Sequence, residues 1–236
     1  MNIKSVADRT KQFVEKRIIE GEYYPGQQIK EEEIASRLEI SRPPVREAFK
    51  FLEAEGLVTR KPRRGVFVAE VKEKDIWEIY MLKIALYGLG ISLAMDKITP
   101  QGIRQLEQIV AAMEKCAEEI PADLAEYQTL NENFHNCLMD IAGNERLKKT
   151  CSMLHKQVKR FSYKSLSDKE HLLSSVSSHR RILEAIVNRD QTLAERLNRE
   201  HILEGMVVLQ RVIGVEEGSS RAMGGPSNMS RTKENE

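Results

Sequence analysis

The sequence predicts a mainly α-helical protein with a small N-terminal domain followed by a larger helical bundle. Three observations support this prediction: one β-hairpin pattern is confined to residues 57–71, the segments beyond it are helical in pattern, and glycine, proline and capping residues separate them. The chain of 236 residues has 41% hydrophobic and 31% charged residues and a formal net charge of +1. This composition is typical of a soluble globular protein with one or two domains.

Two amphipathic helices are predicted in the first 40 residues. Residues 5–20 place apolar side chains between charges, and Pro25 with Gly26 then marks a turn. Residues 30–40, KEEEIASRLEI, place three glutamates in the expected first helical turn, where negative charge suits the helix dipole. The apolar residues that follow them supply the buried face of a short second helix.

A third helix is predicted from about Pro43 to Glu55. Ser41 is a good N-cap, Pro43 can occupy the first turn, and Gly56 ends the helix. One face of this helix is apolar at the i, i+3, i+4, i+7 spacing and should face a core, whereas another face repeats basic residues every four positions. The exposed basic stripe consists of Arg42, Arg46 and Lys50.

Residues 57–71 predict a hairpin in which the basic turn KPRRG joins the runs LVTR and VFVAEV. Three helices and a hairpin make a winged helix-turn-helix, and we place this domain at residues 1–71. The bundle, by the same reasoning, should be all α-helical, so the expected fold is mainly α throughout.

Positive charge is concentrated in this unit. Between residues 41 and 64, seven arginines and lysines stand against three glutamates, so the local charge is +4 in a chain of net charge +1. A basic helix of this kind can enter a DNA major groove, and a wing can lie along the backbone, where glycine allows a close approach. The alternative is a basic surface that is merely solvated. The candidate contacts to double-stranded DNA are Arg42, Arg46, Lys50, Arg63, Arg64 and Gly65.

Residues 72–214 are predicted to form an antiparallel bundle of six helices. Several helix starts carry a capping residue or a proline, for example Thr99 before Pro100. Residues 215–236 are rich in glycine, serine and charge and poor in large apolar groups, so we expect a disordered tail. The predicted helices span residues 73–96, 100–118, 122–142, 145–164, 174–188 and 191–213.

Neither an export signal nor a membrane span is predicted. Residues 1–18 carry scattered charges and no unbroken apolar run, so the expected location is cytoplasmic, with no membrane partner. The three cysteines, Cys116, Cys137 and Cys151, form no CxxC pair, so we expect neither a disulfide framework nor a zinc–thiolate site.

Three of the five histidines lie on apolar faces of predicted helices: His135, His179 and His201. If these faces turn inward, the three imidazoles can converge in the bundle core, with Asn131 one turn before His135 adding an oxygen. Such a set suits a divalent transition metal such as zinc or nickel. For any single histidine, the alternative is a buried ring hydrogen-bonded to a neighbour.

Residues 21–68 resemble the N-terminal domain of the GntR family of bacterial transcription regulators. That family's pattern contains a G-x-x-x-PG turn, an SR-x-pVReAl recognition helix, a L-x-x-eGLv segment and an RG wing. The resemblance implies that Arg42, Arg46, Arg64 and Gly65 contact DNA, and that a homodimer binds a short palindrome. The corresponding stretches here are Gly21 to Gly26, Ser41 to Phe49, Leu52 to Val58, and Arg64 with Gly65.

Two stretches of the bundle, NENFHNCLMDIAGN and SSHRRILEAIVNRDQTLAERLNREHI, are similar to the FCD effector-binding domain of the FadR subfamily in its six-helix form. The resemblance implies a metal site at Asn131, His135, His179 and His201. Asn131 departs from the more frequent aspartate, so the ligand set is neutral before a metal binds. The first bundle helix departs too, because Lys83 and Tyr87 stand where that family tends to carry Arg-x-x-x-Glu.

These resemblances imply a transcription regulator, commonly a repressor, that responds to a small carboxylate effector and is not an enzyme. The metal would offer an open position to the carboxylate, and Lys83 or Arg160 would help to hold it. Effector binding would then shift the relative pose of the two DNA-binding domains. Two alternatives remain open: a DNA-binding protein whose bundle is purely structural, and a metal-dependent enzyme. Against the enzyme, the sequence has no HExxH, nucleophile or phosphate motif.

Overall fold

The computed structural model describes residues 5–119 and 121–223, except for the side chains of residues 160, 163, 164 and 212–223. Within these residues the protein is mainly helical, with a winged helix-turn-helix in front of an all-α bundle, as the sequence predicts. The N-terminal elements are α1 (Val6–Ile19), β1 (Gln28–Ile29), α2 (Glu31–Arg37), α3 (Arg42–Ala54), β2 (Val58–Lys61) and β3 (Gly65–Val68). The bundle contains α4 (Glu73–Met95), α5 (Pro100–Glu118), α6 (Leu124–Ala142), α7 (Glu145–Leu166), α8 (Lys169–Val187) and α9 (Gln191–Met223).

The N-terminal domain folds around a core shared by its helices and its sheet. A capping box starts α1, because the Ser5 hydroxyl accepts the Asp8 N–H and the Asp8 carboxylate accepts the Ser5 N–H. The amphipathic α3 buries its apolar face completely, including Phe49 and Leu52. Its opposite face is therefore left for solvent or for a binding partner.

The strands form an antiparallel sheet in the order β1-β3-β2. The β2–β3 hairpin agrees with the sequence prediction, and Lys61 pairs with Gly65 at its end. At the tip of the wing, Arg63 and Gly65 adopt positive φ angles of 58° and 103°. Strand β1 was not predicted, since a two-residue strand is too short to show an alternating pattern.

In the bundle, α4 packs against α6, α7 and α9. It is the one helix in the described part of the chain that is long and apolar enough to cross a membrane, with a mean hydropathy of 1.4 over its most apolar stretch. Core helices of globular bundles satisfy the same criterion, and α4 buries Ile76, Ile91 and Ala94 against its neighbours.

Two helix bounds differ from the prediction by five residues or more. Helix α8 begins at Lys169, five residues before the expected start, because the Asp168 carboxylate accepts the N–H groups of Glu170 and His171. Helix α9 continues to Met223, so residues 215–223 are helical where a disordered tail was expected. Extending an existing helix fixes one residue for each new hydrogen bond and avoids the nucleation cost. Residues 224–236 of the expected tail lie outside the described residues.

Candidate metal centre and DNA-binding surface

The structure brings three histidines from three helices into one cluster. His135 lies on α6, His179 on α8 and His201 on α9, and one ring nitrogen of each lies within 4.8 Å of those of the other two. The ring centroids of His179 and His201 are 4.4 Å apart, and those of His135 and His179 are 5.3 Å apart. Phe134 packs edge-on against His179, with 4.9 Å between the centroids, and helps to fix the ring.

Several polar atoms at this cluster have no hydrogen-bond partner within the described structure. Nδ1 of His179 donates to the Ser175 carbonyl at 2.7 Å, which leaves Nε2 as a buried, unpaired acceptor. Nδ1 of His135 and Oδ1 of Asn131 are also buried and unpaired. Buried acceptors without a partner are rare because each one loses its hydration. A cation bound between these atoms would interact with their lone pairs and replace the missing hydrogen bonds.

Burial also fixes the charge state of the cluster. Burial lowers the pKa of His179 to about 4. Burial is the main cause that lowers the pKa of His135 and of His201 well below the ordinary value, and the neighbouring His179 lowers both further. The three imidazoles are therefore neutral near pH 7, which is the form that binds a metal.

A cavity of about 80 Å³ adjoins the cluster. Lys83 on α4 is 91% buried there, with Nζ 4.7 Å from the centroid of the Tyr80 ring. Burial lowers the pKa of Lys83 to about 8, so the ammonium group still carries its proton at pH 7. The described lining includes four histidines: His135 and His201 belong to the cluster, whereas His155 and His171 lie outside it. Of the two side chains proposed to hold an effector, Lys83 faces this cavity, whereas the side chain of Arg160 lies outside the described part of the structure.

The two domains meet at α7. Lys156 Nζ lies 2.8 Å from Glu15 Oε1 on α1, and Gln157 Nε2 donates to the Glu55 backbone carbonyl at 2.9 Å. The same part of α7 also contacts α6. The Glu132 carboxylate on α6 lies 3.2 Å from His155 Nε2 and 2.6 Å from Lys159 Nζ. This junction was not predicted, because nothing in the local sequence pattern of α7 indicates its partners.

The predicted DNA-binding residues lie on α3 and on the wing of the N-terminal domain. Arg42 and Arg46 are exposed, and both form ion pairs with the first turn of α2. The Arg42–Glu32 distance is 3.0 Å and the Arg46–Glu31 distance is 2.7 Å. Lys50 is exposed farther along α3, and Arg63, Arg64 and Gly65 are exposed at the wing tip. These two ion pairs were not predicted from the sequence.

Comparison with known families matches both domains. Residues 6–68 match the bacterial regulatory proteins of the gntR family, and residues 78–204 match the FCD domain. The second match alone covers more than half of the chain. The matched families and the curated relatives are transcription regulators, not enzymes.

Several curated relatives match along most of their length. The uncharacterized HTH-type transcriptional regulator YdhC of Bacillus subtilis is 28% identical, covering 87% of this chain and 90% of its own. A probable D-xylose utilization operon transcriptional repressor of Paenarthrobacter nicotinovorans is 29% identical over 84% and 86% of the two chains. The transcriptional repressor RspR of Escherichia coli is 29% identical over 76% and 78%.

Solved structures show the same fold. Escherichia coli McbR/YncC superposes with a TM-score of 0.76 at 18% identity, covering 89% of this chain and 99% of its own. A putative transcriptional regulator GntR from Rhodococcus gives a TM-score of 0.72 at 20% identity over the same shares of the two chains. With both of its domains matched, the chain belongs to the GntR family of bacterial transcription regulators and carries an FCD domain behind its winged helix-turn-helix.

Proposed function

We propose that the protein is a cytoplasmic repressor that binds a palindromic operator as a homodimer and responds to a small carboxylate effector. A divalent transition metal such as zinc or nickel would be held by Asn131, His135, His179 and His201. The observation that carries this proposal is the cluster of three neutral imidazoles, with unpaired acceptor atoms, beside a cavity of about 80 Å³.

The ligand set favours zinc or nickel. Three imidazole nitrogens are the ligands that these borderline metals prefer, and an amide oxygen from Asn131 completes a neutral set. The bound metal would supply an open coordination position for a carboxylate oxygen. The chain's own residues would do the rest: Phe134 holds the His179 ring, Ser175 fixes its tautomer, and Lys83 places a positive charge in the cavity.

DNA recognition is assigned to α3 and the wing. Arg42, Arg46 and Lys50 would reach base edges and phosphates in the major groove, while Arg63 and Arg64 would contact the backbone beside it. The positive φ angle at Gly65 lets the tip approach the DNA without a side chain in the way.

A homodimer is supported by the surface of α4. This helix exposes Leu82, Ala85 and Leu89 along one side, at the i, i+3, i+7 spacing, and Leu82 is 53% exposed. An exposed apolar stripe on a core helix indicates a protein interface. The same stripe on a second copy would cover it, and the resulting two-fold symmetry matches an inverted repeat in DNA.

Repression is supported by relatives that are themselves named repressors. A metabolite that binds beside the metal would change the relative pose of the two DNA-binding domains. Operator affinity would fall because both half-sites must be met at once.

The test is selection of genomic DNA fragments by the purified full-length protein at physiological salt, since salt sets the level of non-specific binding. We expect a few fragments that share an inverted repeat, and release of the protein from them by a carboxylate. Fragments without a shared sequence would contradict the operator assignment. Sequence-specific binding that no carboxylate alters, and that survives replacement of the three histidines, would favour a purely structural bundle.

A further inference from the structure

The cavity beside the histidine cluster holds positive charge that its own lining does not balance. Lys83 is 91% buried, and the described lining residues include no aspartate or glutamate. The Glu132 carboxylate acts on Lys83 from outside this lining, but it already pairs with Lys159 at 2.6 Å and lies 3.2 Å from His155. A buried ammonium group without an anion is costly, so the site is built for an anionic occupant.

The neutral ligand set adds to this charge. Because the fourth candidate ligand is the amide of Asn131 and the other three are neutral imidazoles, a divalent ion bound there keeps both of its charges. Together with Lys83, the metal-loaded site therefore carries three positive charges. One carboxylate would neutralise only a third of that charge.

The cavity also has polar lining groups that do not belong to the three-histidine cluster. His171 lies about two turns before His179 on α8, and it lines this cavity together with Ser175, which lies between them on the helix. The ring of His171 is 92% buried, and its Nδ1 has no hydrogen-bond partner within the described structure. Three serines, Ser162, Ser165 and Ser175, belong to the same described lining. The unpaired Nδ1 of His171 can hydrogen-bond the part of a bound anion that does not contact the metal.

We propose that the cavity selects a compact dianion, with one negative group directed to the metal and the other held near Lys83 and His171. This inference rests on the metal site of the proposed function and goes beyond it by assigning the charge of the effector. A cavity of about 80 Å³ has room for roughly three water molecules, so the ligand is short. A short dicarboxylate and inorganic phosphate share this chemistry.

The experiment is titration calorimetry with the full-length protein after metal loading. The probes are acetate and butyrate as monoanions, malonate and succinate as dicarboxylates, and inorganic phosphate. We expect succinate or malonate to bind at least tenfold more tightly than butyrate. Tight phosphate binding with weak dicarboxylate binding would identify phosphate as the source of the dianion. Equal affinity for butyrate and succinate in metal-loaded protein would overturn the inference.

Substitutions at Lys83 and Asn131 test which side chains determine the preference for a dianion. Lys83→Met should remove most of the preference for dianions without lowering the metal content, and Lys83→Arg should restore it. Lys74→Met is the matched control, because Lys74 lies on the same helix and is 82% exposed. Asn131→Asp should retain the metal and weaken dianion binding, since the ligand set becomes negative. An unchanged preference in Lys83→Met would contradict the assignment of Lys83.

Metal analysis of the same samples separates this inference from the proposed function. Protein that takes up no metal would refute the metal site itself. Protein that takes up one metal per chain but does not distinguish monoanions from dianions would refute only the charge assignment.

Discussion

Lys156 Nζ lies 2.8 Å from Glu15 Oε1, and this ion pair joins α7 of the bundle to α1 of the DNA-binding domain. The next residue on α7, Gln157, donates a hydrogen bond to the Glu55 carbonyl at the end of α3. A β-carbon on Gly56 would come within 2.7 Å of the Gln157 amide nitrogen, so the two domains approach closely here. A shift of α7 would therefore move the helix that carries the recognition residues.

Replacing Lys156 should uncouple the domains. In Lys156→Met, we expect operator affinity to change by no more than about fivefold, because an ion pair of this kind contributes at most about 1 kcal/mol. The change in operator affinity on adding effector should fall several-fold, as measured by fluorescence anisotropy with labelled operator. Lys148→Met is the control, because Lys148 pairs with Asp140 inside the bundle. An identical effector response in both variants would contradict the coupling role of Lys156.

The ion pair between Arg42 and Glu32 should restrain non-specific DNA binding. DNA phosphates must displace Glu32 from Arg42, so Glu32→Gln should raise affinity for random-sequence DNA about fivefold, which corresponds to about 1 kcal/mol. Glu33→Gln removes the same charge from the same helical turn but breaks a pair with Lys30, outside the recognition helix. We expect less than a twofold gain from it. Equal gains in the two variants would show a general charge effect and no specific competition.

The buried histidines should make the metal-free protein sensitive to acid. The folded pKa of His179 is about 4, below the ordinary value of 6.5 for the unfolded chain, so the unfolded state binds more protons between these values. The contribution of neutral His179 to the free energy of unfolding is therefore fully present above about pH 6.5 and is lost as the pH falls toward 4. The expected slope is about 1.4 kcal/mol per pH unit for each proton taken up on unfolding.

Urea unfolding of chelator-treated protein at several pH values measures this slope. His179→Gln removes the titrating ring, so its free energy of unfolding should vary less with pH over the same interval. A wild-type free energy of unfolding that is constant from pH 7 to pH 5 would contradict the neutral, buried state of the cluster.

The apolar stripe on α4 should control dimer formation. Leu82→Glu places a charge on the proposed interface, so we expect a monomer in analytical ultracentrifugation and at least a tenfold loss of affinity for an inverted-repeat operator. Leu173→Glu is the matched control, because Leu173 on α8 is 49% exposed and lies outside this stripe. A Leu82→Glu variant that remains dimeric would place the interface elsewhere.

Local patterns predicted most of the fold. The apolar spacing of α3, the Pro43 start and the Gly56 stop were sufficient for the recognition helix, and the hairpin followed from turn chemistry. The histidines were found in the same way: each lies on an apolar helix face, and such faces meet in a bundle core. The start of α8 was missed because the helical pattern alone does not reveal the Asp168 cap.

Relationships across the tertiary structure were beyond the sequence. The pairing of Arg42 with Glu32 depends on how α2 crosses α3, and the pairing of Lys156 with Glu15 depends on how the domains dock. The sequence also did not predict that Lys83 faces a cavity whose described lining has no carboxylate. A lysine in an apolar helix has the same sequence pattern whether or not it has an anionic partner.

The most direct test of the account is the metal content of the purified full-length protein, measured by mass spectrometry after loading with zinc or nickel and removal of excess ion. We predict one metal per chain in the wild type and in His155→Gln, whose ring lies outside the three-histidine cluster. Both His135→Gln and His201→Gln should lose the metal while they retain the circular dichroism of a folded helical protein. Wild-type protein with no more bound metal than these two variants would contradict the central claim.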